Sequence, residues 1–106
     1  LTSNKVIKVG TPIENGEGFQ FNQDITDEKK IETLERIFKE LQPEQNFNGM
    51  SRKPDSIFSL NEPEEHVALI WASLWYLDND TAIAFRNQNY YRLSKKQTRT
   101  LKSIFE

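Results

Sequence analysis

A chain of 106 residues suits one domain with a single core, and its 28% charged residues of both signs describe an ordinary globular surface rather than a disordered tail. The net charge of −2 disfavours nucleic acid as a partner of the whole domain, although the C-terminal fifth is basic: residues 86–106 hold 6 Lys/Arg against one Asp/Glu. With no cysteine and a single histidine, His66, there can be no disulfide, no thiolate nucleophile, and no Cys-ligated or two-histidine metal site.

The chain opens Leu1-Thr2-Ser3-Asn4 without a methionine or a signal-peptide pattern, so a removed export or anchor segment is expected. Residues 1–5 are expected to be flexible. Val6-Ile7-Lys8-Val9 and Phe19-Gln20-Phe21 then form two short strands around Asn15-Gly16, residues that tolerate positive φ. A loop of about three residues would set Ile13 opposite Phe19, and Pro12, lacking a ladder donor, would put its strand at a sheet edge.

Helical spacing of Ile31, Leu34, Ile37, Phe38 and Leu41 predicts an amphipathic helix, capped by Thr26, with Asp27 and Glu28 on its N-terminal dipole and Pro43 at its end. Residues 42–56 read as a long loop. Ile57 to Leu60 form a short strand, followed by an acidic turn, Asn61 to Glu65.

His66 to Leu77 is the one long uncharged apolar run. It is too short to cross a bilayer as a helix and is predicted as the central strand. A three-residue loop at Asp78-Asn79-Asp80 would set Trp75 opposite Ile83, Ser73 opposite Phe85 and Leu74 opposite Ala84. A second three-residue loop, Asn87-Gln88-Asn89, would set Tyr91 opposite Phe85 and Leu93 opposite Ile83. On that register Trp71, Trp75, Ile83 and Phe85 share one face, while Tyr76, Arg86, Tyr90 and Arg92 lie among alanines on the other. Ser94 and Gln97 then make a capping-box pattern for a last helix with Leu101, Ile104 and Phe105 on its apolar stripe.

The expected fold is therefore α+β: a two-layer sandwich in the order ββαββββα, with an antiparallel sheet of about five or six strands and both helices on one face. Because burying large aromatics removes the most apolar area from water, Trp71, Trp75 and Phe85 are expected beneath the helices, against Ile31, Leu34, Phe38, Leu101 and Phe105.

No residue pattern singles out catalysis. His66, at a strand start beside Glu64 and Glu65, reads as a surface histidine rather than a triad base, and Glu62, Glu64 and Glu65 lack EF-hand spacing. Gly16 and Gly18 belong to a hairpin rather than to a phosphate loop, so no metal and no cofactor is expected. The lighter sheet face is left as the candidate binding site, since Tyr and Arg are enriched at hot spots and a flat face suits a protein or a cell-surface polymer better than a small molecule. Its residues are Tyr76, Arg86, Tyr90 and Arg92.

Ile25-Thr26-Asp27 before the first helix, Pro54-Asp55-Ser56-Ile57-Phe58-Ser59-Leu60, the Trp71/Trp75 strand and Tyr90-Tyr91-Arg92-Leu93-Ser94 leading into Thr98 and Leu101 together resemble the small YhfM-type proteins of Bacillus and relatives. The resemblance spans roughly residues 6–106 and implies an exported, lipid-anchored protein, so the only membrane contact it implies is through an upstream anchor. It brings no catalytic motif. A non-enzymatic extracytoplasmic domain that binds a protein or cell-envelope polymer is the expectation. The alternatives are a small hydrolase using unassigned carboxylates and nucleic-acid binding through the basic C-terminal segment.

Overall fold

The computed structural model describes residues 4–106, so three of the five residues expected to be flexible lie outside the described part. The elements follow the expected order: β1 (Val6–Pro12), β2 (Phe19–Ile25), α1 (Glu28–Glu40), β3 (Ser56–Glu62), β4 (Val67–Tyr76), β5 (Ala82–Arg86), β6 (Asn89–Leu93) and α2 (Lys95–Ile104). A 3₁₀ turn at Pro63–Glu65 precedes β4. All neighbouring strands pair antiparallel in one six-stranded sheet, β2-β1-β3-β4-β5-β6, and both helices pack on one side.

Local chemistry accounts for most boundaries. Asp27, one residue later than the expected Thr26, caps α1 by accepting from the Lys30 amide at 3.1 Å. Ser94 and Gln97 close a full capping box on α2, each side chain accepting from the other's backbone amide. The β1–β2 connection is longer than expected, with Pro12 rather than Ile13 opposite Phe19. Nor is β1 an edge strand, since it pairs with both β2 and β3. Pro12 is tolerated because the β3 ladder stops at Gly10, so its missing donor faces no partner there.

The β4–β5 register is the expected one, with Trp75 opposite Ile83, Ser73 opposite Phe85 and Leu74 opposite Ala84. The β5–β6 register is not. Asn87 and Gln88 both take positive φ, 50° and 67°, and close a two-residue turn that pairs Asn89 with Arg86. Tyr90 then opposes Phe85, Tyr91 opposes Ala84 and Arg92 opposes Ile83. One residue of slip turns every β6 side chain to the other face.

The core lies on the opposite face of the sheet from the one expected. Ile31, Leu34, Ile37 and Phe38 of α1 and Leu101 and Ile104 of α2 pack on Ile7, Val9, Phe58, Leu60, Ile70, Ala72, Leu74, Ala82, Ala84 and Leu93. Both layers bring bulk, and Ala72, Ala82 and Ala84 leave room among the larger sheet residues for the helix side chains. Phe38 and Phe105 meet Phe58 at ring separations of 5.1 and 5.4 Å. The tryptophans lie on the other face, which no helix covers.

Candidate functional site

The face away from the helices has two parts, one roofed and one bare. The segment between α1 and β3 crosses the β6 edge, where Pro43 bridges Tyr91 and the Glu44 amide donates to the Tyr90 carbonyl at 2.7 Å. It then lies over β6, β5 and β4. Phe47 meets the Tyr90 ring at 5.0 Å, and Tyr90 contacts Phe85 at 4.7 Å and Trp75 at 6.0 Å. Gly49, at φ 89°, passes so close to Tyr90 that an added Cβ would stand 3.2 Å from the phenol oxygen.

The end of the roof is clamped to β4. The Trp75 indole donates to the Arg52 carbonyl at 2.8 Å. The Arg52 guanidinium donates to Asp55 at 2.7 Å and to the Tyr76 carbonyl at 2.9 Å, while Asp55 accepts from the Tyr76 amide at 2.7 Å. Burial alone would push the Asp55 carboxyl up. The bonds from Arg52 and Tyr76, with the charges of Arg52 and Lys102, outweigh it and hold the group below its ordinary value. Trp75 is only 6% exposed under this roof, and Ile57 and Ile83 are buried on the same face.

Beyond the roof the sheet is bare. Trp71, expected in the core, is 53% exposed, and Phe21 is 42% exposed. Their rings meet edge-to-face at 6.0 Å. They can meet only because the strands between them carry small residues: Phe21 pairs with Gly10 on β1, and Trp71 pairs with Ser59 on β3. The Trp71–Ser59 row continues to Lys8 and Asp24, which form an exposed ion pair at 3.1 Å, and the Phe21–Gly10 row continues to Ile57. A bulge at Leu69 breaks the alternation of β4, so Val67 pairs with Glu62 and no longer shares a face with Trp71.

The four residues expected to form one patch are split by the β5–β6 slip. Tyr76 and Arg86 fall on the helix side of the sheet, Tyr90 and Arg92 on the open side. Tyr76 is partly buried beneath Lys102, whose Nζ stands 4.9 Å over its ring. Burial pushes the Tyr76 phenol up, and the Asp55 charge adds to that. The Arg86 guanidinium donates to the Leu69 carbonyl at 3.2 Å, Tyr90 lies under the roof, and Arg92 pairs with Glu44. Sequence reasoning missed the Trp71–Phe21 pair. A usable signal was present in Gly10 and Ser59, small residues that leave room for aromatics on neighbouring strands.

His66 is exposed at the end of the 3₁₀ turn, in a left-handed conformation at φ 53°. Among the described residues no three His, Asp or Glu side chains converge as a metal-binding group. No family model, curated protein or solved structure matches the chain. The chemistry of its surfaces is therefore the ground for a functional reading.

Proposed function

We propose that this domain is a non-enzymatic binding module that uses the bare part of its sheet face, centred on Trp71 and Phe21, to hold a protein or a cell-envelope polymer. The observation that carries this reading is the half-exposed Trp71 meeting the half-exposed Phe21 edge-to-face on the uncovered part of the sheet. A large aromatic left in water forfeits transfer free energy, so a paired, ordered one is a surface prepared for an occupant. A flat face supported by paired strands suits an extended ligand, whereas small molecules favour concave pockets. A place outside the cytoplasm belongs to the same proposal and rests on the resemblance to YhfM-type proteins.

The test is co-sedimentation of the domain with cell-wall and membrane fractions, with Trp71→Ala and Phe21→Ala as variants. Each substitution should weaken retention by about 1–3 kcal/mol, the range of an interface anchor. Unchanged retention of the double variant on every fraction that binds the parent would reject the reading.

A further inference from the structure

On the opposite layer, α2 carries Lys95, Lys96, Arg99 and Lys102 and no carboxylate. Elsewhere four cations are in ion pairs, Lys5 with Glu35, Lys8 with Asp24, Arg52 with Asp55 and Arg92 with Glu44, and the others outside α2 are interspersed with acidic residues along the chain. Among the described residues no ion pair uses an α2 cation. Two of these lysines stand in the first turn, with no acid beside them. That is the end of a helix where the macrodipole disfavours positive charge.

Lys95, Arg99 and Lys102 are not merely scattered on a solvated face. They line one cavity, together with Asp80 and Thr98. Thr98 is 1% exposed, and its hydroxyl has no hydrogen-bond partner. Lys102 is further restrained by the Tyr76 ring beneath it.

We propose that the cavity and the α2 stripe bind successive phosphate groups of a linear polyanion that carries no stacking bases. The four cations supply the charge complement. Lys95 and Lys102 are separated by about 10 Å along the helix axis, at 1.5 Å per residue. That is more than one phosphate spans, so a polymer uses the stripe where a free ion fills only part of it. Base-bearing polymers fit less well, because single-strand binding relies on aromatic platforms and the α2 stripe presents none. This proposal is independent of the aromatic sheet face, which lies on the other side of the sheet.

The experiment titrates the full chain with long-chain inorganic polyphosphate, following backbone amide shifts and repeating the titration at several salt concentrations. Shifts should concentrate at residues 94–102, and three phosphate contacts should give log K against log salt a slope of about −2, by the single-strand value of about −0.7 per contact. Arg99→Gln should bring that slope about 0.7 closer to zero. Asp80→Asn should tighten binding by removing the cavity's one carboxylate. Lys39→Gln on α1 should leave the affinity unchanged. Orthophosphate, the free-ion arm, should shift the same amides more weakly, and affinity equal to that per polymer phosphate would overturn the polymer part. Shifts spread evenly over both helices, equal binding of polyaspartate, or a thymidine oligonucleotide binding as tightly as polyphosphate would each overturn the proposal.

Discussion

Trp71 on β4 and Phe21 on β2 touch edge-to-face at 6.0 Å although two strands, β1 and β3, run between theirs. The pair closes over Gly10 and Ser59, and at Gly10 an added Cβ would stand 3.1 Å from the Gln20 carbonyl and 3.3 Å from both Ile57 and Phe21. Gly10→Val is therefore expected to push Phe21 away from Trp71 and to cost about 1–3 kcal/mol, the usual scale of overpacking. Urea denaturation gives the stability change, and iodide quenching of Trp71 fluorescence, rising as Phe21 moves away, reports the lost contact.

The two tryptophans should respond very differently to truncation. Trp75 is 6% exposed and donates to the Arg52 carbonyl, whereas Trp71 is 53% exposed. Trp75→Ala is expected to cost about 3–5 kcal/mol through lost transfer energy and the cavity left behind. Trp71→Ala should stay within about 1 kcal/mol, near the range of surface substitutions. Equal losses for the two variants in chemical denaturation would show that the roof over Trp75 does not hold in solution.

How far the sequence disclosed this arrangement depended on where the information is local. The α2 cap, the order of elements along the chain and the β4–β5 register follow from turn length and side-chain periodicity, and Ser94, Gln97 and Asp78-Asn79-Asp80 made them legible. The β5–β6 register failed on Gln88, a residue with a Cβ held at φ 67° where glycine would have signalled a two-residue turn. The choice of buried face failed for a different reason. Bulk on one sheet face shows which side chains are large, but which face the helices cover is decided by the fit of helix side chains against the sheet. Here Phe38 meets Phe58, and Leu34 shares the core with the sheet's Leu60, Leu74 and Ala84. The roof over Trp75 depends on a backbone acceptor at Arg52, and a backbone carbonyl leaves no mark in a sequence.

Acid should loosen the clamp that fastens the roof. The Asp55 carboxyl is held below its ordinary value in the folded protein, so the unfolded chain takes up a proton at a higher pH than the folded one does. Its contribution is fully present above the unfolded value, about 3.9, and is lost as the pH falls through the lower folded value. Asp55→Asn should lower stability at neutral pH and flatten the acid limb of a stability–pH curve below pH ~4. Chemical denaturation between pH 2 and 7 tests this, and parallel acid limbs for parent and variant would remove Asp55 from the account. Because the Arg52 and Asp55 side chains are about half and a third exposed, the effect should shrink in high salt.

The tight turn between β5 and β6 offers a stabilising substitution. Asn87 and Gln88 sit at φ 50° and 67°, and Asn is well suited to that region while Gln is not. Gln88→Gly removes the clash between a Cβ and the following carbonyl, worth roughly 1–2 kcal/mol at a left-handed position. Greater freedom of glycine in the unfolded chain offsets about 0.5–1 kcal/mol of that. A net gain of about 0.5–1 kcal/mol should remain, raising the melting temperature by roughly 2–8 °C for a domain of this size. The same substitution at Asn89, which pairs with Arg86 inside the ladder, should lower the melting temperature instead, because glycine weakens a strand. The two melting curves therefore decide between a two-residue turn at Asn87-Gln88 and a three-residue loop that includes Asn89. Stabilisation by Asn89→Gly with none by Gln88→Gly would restore the longer loop, and with it the placement of Tyr90 and Arg92 on the face that carries Tyr76 and Arg86.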